Sequence, residues 1–137
     1  MTFKLSFEEP KFFVNEKKKT VTCVMGVRPK INGDYKMENI LNTIAREYLN
    51  QTDFEMFKYY FTTFATAKLD PQDTFNVEIG KKVARTKAES SAYGFYSRLV
   101  DRAIYGRFMD NLDNITEDFF DKADSVIEHN NEYLDKF

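Results

Sequence analysis

The 137-residue sequence is poor in the residues that build covalent and metal frameworks: one cysteine, one histidine, no tryptophan, three prolines and five glycines. A single Cys23 excludes an intrachain disulfide and any zinc site built on cysteines. A single His129 excludes a multi-histidine metal centre. So few Gly and Pro argue against a many-stranded sandwich with frequent tight turns. No window approaches the ~18 consecutive apolar residues of a membrane span. Phosphate-cradling loops, a glycine-rich dinucleotide fingerprint and zinc-ligand spacings are missing. The glycine of Glu78-Ile79-Gly80-Lys81-Lys82 lies inside a helical pattern and opens no phosphate loop. The first residues alternate and then turn acidic, unlike a secretory leader. A reducing cytoplasm, that of a bacterial host, is the expected compartment. The sequons at Asn50 and Asn114 are accordingly read as chance.

Aromatic rings are what the chain has in excess. Fourteen Phe and eight Tyr make 16% of the residues, within a chain that is 42% hydrophobic and 31% charged. That balance fits one folded domain of residues 1–137. Phe3, Leu5 and Phe7 alternate with polar neighbours, as in a half-buried strand. Residues 20–27 are rich in β-branched side chains and place Val21, Cys23, Met25 and Val27 on one face, so residues 1–30 read as a β-hairpin region. Cys23 is expected to be a small buried hydrophobe.

Beyond the turn signals at Asn32-Gly33-Asp34, the period changes. Met37, Ile40, Leu41, Ile44, Ala45, Tyr48 and Leu49 predict an amphipathic helix over 35–51, capped by Asp34. Residues 54–68 read as a strand, apolar enough on both faces to lie centrally or under a helix. A long helix follows over 75–112, with a kink or break expected at Ser90, Ser91 and Gly94. An acidic helix over 116–135 begins with Glu117 and Asp118, where the helix dipole favours them. The fold class is α+β: a small antiparallel sheet of three to four strands in the order β-β-α-β-α-α, with helices packed on one face. Phe3, Phe7, Phe61, Phe75, Phe95, Phe108 and Phe119 are assigned to the core. Phe12 or Phe13, Tyr59 or Tyr60, Tyr93 and Tyr105 have no evident home within one chain, which predicts a homo-oligomer.

Charge is unevenly spread behind a formal net of −2. Residues 1–37 carry +4, 38–79 carry −4, 80–109 carry +5 and 110–137 carry −7. Either the basic and acidic helices neutralise each other, or the surface is bipolar and one pole serves a partner. On the acidic side, Asp118, Asp121, Asp124 and Glu128 are the candidate partner-binding face, suited to a basic groove that otherwise holds nucleic acid. On the basic side, Lys81 and Arg85, and again Arg98 and Arg102, lie four residues apart on shared faces. They could hold a nucleotide or track phosphates. No catalytic constellation emerges. Cys23 and His129 do not read as a nucleophile and its base. The Asp110–Asp113 and Asp121–Asp124 pairs read as a solvated helix face. A non-enzymatic protein with no cofactor and no metal is expected.

The segment from Thr66 to Glu89 resembles a strand–loop–helix pattern of small phage and prophage proteins. In that pattern a strand ends in Ala, Asp-Pro-x-Asp-x-Phe follows, and Gly-Lys-x-x-Ala-Arg-x-Lys-Ala opens a helix. Here these residues are Ala67, Asp70 to Phe75, and Gly80 to Ala88. The resemblance implies a mobile-element origin and a structural role: Asp73 caps, Phe75 plugs under the helix, and Gly80, Ala84 and Ala88 allow close approach to the sheet. The sequence thus points to an accessory protein that binds and inhibits a host nucleic-acid-handling or defence protein, in the manner of an anti-CRISPR. The alternatives are an oligomer that sequesters a nucleotide signal and a nucleic-acid-binding accessory protein.

Overall fold

A thirteen-residue strand, β3 (Thr20–Asn32), organises the structure, a computed structural model that describes residues 2–70 and 74–136. Its alternating Val21, Cys23, Met25 and Val27 are all buried, as the β-branched pattern predicts. β1 (Thr2–Phe7) and β2 (Lys11–Asn15) run in line, antiparallel along one edge of β3. Phe7 pairs with Val27 and Lys11 with Val24, so Glu8, Glu9 and Pro10 oppose only Met25 and Gly26. That is a bulge of one extra residue. It shifts the inward side chains from odd to even positions, so Phe12 packs beneath the sheet together with Phe7.

β4 (Phe61–Lys68) pairs with the other edge of β3. Leu69 donates its N–H to the Lys19 carbonyl at 3.0 Å. Counting back in steps of two, Phe61, Thr63, Ala65 and Ala67 are the residues that bond to β3. Thr62, Phe64 and Thr66 turn their backbone N–H and C=O to the opposite edge. No strand pairs there among the described residues. Of the two expected placements, the central one is corrected, because β4 is an edge strand, and the other holds, because Thr63 donates its hydroxyl to the Ala88 carbonyl of the helix beneath it. Pro29 is tolerated in β3 for the same geometric reason. Its nitrogen faces β4's side at a level β4 does not reach, and no ladder bond is lost.

α1 (Tyr35–Tyr48) and α2 (Gln51–Lys58) separate β3 from β4. Asp34 caps α1 by accepting from the Lys36 N–H at 3.0 Å. The helix expected over 35–51 stops at Tyr48, because Leu49 is extended. Asn50 then caps α2 by accepting from the Asp53 N–H at 2.7 Å. The strand expected over 54–68 is therefore corrected to a helix over residues 51–58 and a strand from Phe61. Burial alternates residue by residue only from Phe61, and the Asn50 cap starts a helix ahead of it. The resulting order is β-β-β-α-α-β-α, not β-β-α-β-α-α, in the same α+β class.

α3 (Val77–Leu134) is one helix of 58 residues, where helices over 75–112 and 116–135 were expected. Asn76 accepts from the Ile79 N–H at 3.1 Å at its start. The expected cap, Asp73, lies outside the described residues. Ser90, Ser91 and Gly94 do not break the helix. Their propensity cost of about 1 kcal/mol or less each is outweighed by burial of Ala88, Ala92, Tyr96 and Leu99 on the same helix. Glu117 and Asp118 are mid-helix residues rather than a first turn.

Gly80, Ala84, Ala88 and Ala92 recur every four residues and are buried. A Cβ on Gly80 would stand 2.7 Å from Val21 Cγ2, so α3 approaches β3 more closely there than a side chain permits. Phe75 packs against this contact, in the role assigned to it. Further along, Tyr96, Leu99 and Ala103 join Leu5, Val27, Leu41, Phe57 and Phe61 in the larger core cluster. Two buried hydrogen bonds tie the layers. Thr63 donates its hydroxyl to the Ala88 carbonyl at 2.8 Å, and Tyr96 donates its hydroxyl to the Phe57 carbonyl at 3.2 Å. The chain divides into two compact units, Met1–Ala103 and Ile104–Phe137. In the second, every described position from Asp110 to Lys136 is exposed except the half-buried Ala123.

Candidate functional site

The second unit presents an unusual surface for a single helix. At 3.6 residues per turn, Asp118, Asp121, Asp124 and Glu128 fall within an arc of about 120°. All four are exposed. The opposite arc is apolar and equally exposed, with Ile115 and Phe119 each at 67% and Leu134 at 62%. The core roles assigned to Phe108 and Phe119 are thereby corrected; both rings are exposed. Phe3 is also more exposed than expected, although its ring meets Tyr96 edge-on at 6.0 Å. Tyr105, Leu112, Phe119, Val126 and Tyr133 are spaced seven residues apart, the period of a helix that packs along another helix. The rings left without a home, Phe13, Tyr59, Tyr60, Tyr93 and Tyr105, are all exposed.

The basic candidates lie in the first unit, and three of them have acidic neighbours. Lys81 lies 3.8 Å from Glu78 and over the Phe12 ring. Arg85 pairs with Glu89 at 3.3 Å. Arg102 reaches Asp53 at 2.6 Å, which ties α3 to the start of α2. Arg98 makes no ion pair among the described residues. It lines a groove with Phe61, Thr62, Phe64, Ser91 and Phe95. The structure does not gather the four cations into one anion site. A second groove, between α1 and α2, is lined by Arg46, Leu49, Phe54, Glu55 and Tyr59. The Arg46 guanidinium lies over the Phe54 ring at 5.3 Å.

Cys23 is fully buried, and His129 is exposed on α3. Burial pushes the Cys23 thiol up; Arg85 lowers it and Glu89 raises it by smaller amounts. Burial also pushes the Tyr96 phenol up. Both raised groups hold their protons longer in the folded chain than in the unfolded one. The Cys23 contribution to stability is present below the ordinary thiol value of 9.0 and the Tyr96 contribution below the ordinary phenol value of 10.0, and each declines as pH rises above that value. Urea midpoints are expected to fall from about pH 9 upward, less steeply in Cys23→Ala. An equal slope in both proteins would remove Cys23 from this account.

Among the described residues, no group of three or more His, Cys, Asp or Glu side chains could hold a metal ion, and no helix is long and apolar enough to cross a membrane. The Asp110–Asp113 and Asp121–Asp124 pairs lie on the exposed helix. The Arg98 groove escaped the sequence reading. Its signal was the run Phe61-Thr62-Thr63-Phe64, with no charge or proline to protect a strand edge. No family model, curated protein or solved structure matches the chain.

Proposed function

We propose that this is a non-enzymatic accessory protein of phage type that acts by binding, with the helix segment 104–134 as its contact element. The carrying observation is that this segment exposes an apolar stripe and an acidic face together. An isolated helix gains little from displaying large apolar side chains to water, and such a face is a mark of association. The heptad-spaced stripe suits pairing with a second copy. The positions flanking it on one side, Met109, Thr116, Ala123 and Asn130, are uncharged, so parallel pairing brings no like charges together there. The acidic faces then point outward as a band of negative charge. Such a band competes for a basic groove in a host nucleic-acid-handling protein, including a defence nuclease of CRISPR type.

The test uses the full chain with Asp118, Asp121, Asp124 and Glu128 all replaced by Lys. The probe is a CRISPR-type nuclease of the host and its target DNA. The native protein is expected to lower DNA occupancy of the nuclease in a salt-dependent manner, and the fourfold variant to lose at least about a hundredfold in potency. Sedimentation of both proteins should show the same oligomer, because the stripe is untouched. Inhibition by the variant equal to that of the native protein overturns the acidic-face reading.

A further inference from the structure

The groove beside Arg98 runs along the unpaired edge of β4, and we propose that it docks an extended acidic peptide segment of a partner protein by strand addition. This surface lies wholly in the first unit and is independent of the 104–134 contact. Three observations converge on it. First, the hydrogen-bond register turns the backbone N–H and C=O of Thr62, Phe64 and Thr66 away from β3, and no strand takes them up among the described residues. An edge with free polar groups is a template for another strand. Second, the edge lacks the usual protections up to the exposed Lys68 that ends the strand. Phe61 to Ala67 contains no proline and no charge, and Phe64 is 70% exposed. By contrast, the outward Leu5 N–H of β1 is taken up by the Tyr93 hydroxyl at 3.3 Å.

Third, α3 supplies a wall that gives the edge selectivity. Phe61, Thr62 and Phe64 from the strand face Ser91, Phe95 and Arg98 from the helix across a groove of about 300 Å³. That volume accepts one or two side chains of an added strand, not a bulky cofactor. Its floor is aromatic, with the Phe61 and Phe95 ring centroids 4.9 Å apart. Arg98 is the one charged group lining it and has no acidic partner in the described residues. A guanidinium free on the rim calls for a carboxylate. The occupant is thus an extended segment with an apolar side chain for the groove and Asp, Glu or a terminal carboxylate beside it. Main-chain bonds supply affinity, and the groove and Arg98 supply choice.

A displayed library of short random peptides, selected on the full-length protein, tests this. The enriched peptides are expected to alternate apolar and polar residues and to carry an acidic group at one end. Synthetic copies should slow amide exchange at Thr62, Phe64 and Thr66. Two variants read out the two halves. Arg98→Glu should weaken the selected peptides about tenfold or more. Thr66→Pro removes one outward donor at a position where an edge strand tolerates proline, and should weaken acidic and neutral peptides alike. Circular dichroism of both variants keeps folding separate from binding. Three results overturn the proposal: no enrichment, enrichment indifferent to both variants, or edge amides protected without peptide in proportion to protein concentration. The last would mean that a second copy's β4 occupies the edge. None of these results depends on the acidic-face substitutions at 118–128.

Discussion

Replacing Phe57 by Ala is expected to cost about 3–5 kcal/mol, the range for a large aromatic removed from a core that relaxes only in part. Phe57 is 0% exposed, and its ring stacks on Tyr96 at 5.5 Å with the planes 6° apart. The Tyr96 hydroxyl closes the same contact by donating to the Phe57 carbonyl. Truncation therefore leaves a cavity between α2 and α3 on the face where the Tyr96 ring stacks, while the carbonyl that accepts from the Tyr96 hydroxyl remains. Against a typical total of 5–15 kcal/mol, this removes a large share of the stability. Phe64→Ala is the matched control. It is the same substitution seven residues along, on a ring exposed to water, and should stay within about 0.5 kcal/mol. Urea melts of both decide the matter. A loss below about 1 kcal/mol for Phe57→Ala would show that the α2–α3 contact is not part of the core.

The second large effect is expected from filling Gly80. Leu at this position should cost about 3 kcal/mol, near the upper end for overpacking. Elsewhere in a helix, replacing Gly by Leu is favourable by roughly 0.5–1 kcal/mol. The reversal comes from the 2.7 Å separation between a Cβ at Gly80 and Val21 Cγ2. Val21 is 0% exposed on the central strand, so it cannot swing away. The double variant with Val21→Ala should recover about 1–2 kcal/mol relative to the sum of the two single changes. Strict additivity in that cycle would mean the two residues are not in contact. Gly26 is a useful contrast. A Cβ there meets Glu8 Oε2 and the Tyr60 hydroxyl at 2.6 Å and Tyr60 Cε2 at 2.8 Å, all on side chains that are partly exposed rather than locked in the core. Gly26→Ala should therefore be far milder than Gly80→Leu.

Much of the first unit was legible from pattern alone. The β-branched run around Cys23 became the central strand and Asp34 became a cap; the close seam of Gly80, Ala84 and Ala88 was what the resemblance of residues 66–89 implied. These are local signals, in which a residue type and its spacing fix a backbone state or a buried face. The misreadings came where a local signal was weak. At residues 54–58, apolar residues beside a strand pattern were read as more strand, because short runs fit both periods. At residues 90–94, weak helix formers were read as a kink or break, although propensities of this size yield to packing and to continuous hydrogen bonding. The acidic face was visible because charge needs only counting. The Arg98 groove was not, since it joins Phe64 on one element to Arg98 on another.

The sequence by itself determined which residues prefer strand or helix, which faces are apolar, and that the chain holds more aromatic rings than one core can cover. Period and composition are properties of neighbouring residues, and short-range sterics translate them directly into structure. Tertiary structure alone decided that β4 lies at an edge, that Arg98 stands beside that edge while Arg102 is paired with Asp53, and that the stripe of 104–134 is left exposed. Each of these depends on which distant segments meet, and the balance of burial against chain entropy over the whole chain selects those meetings.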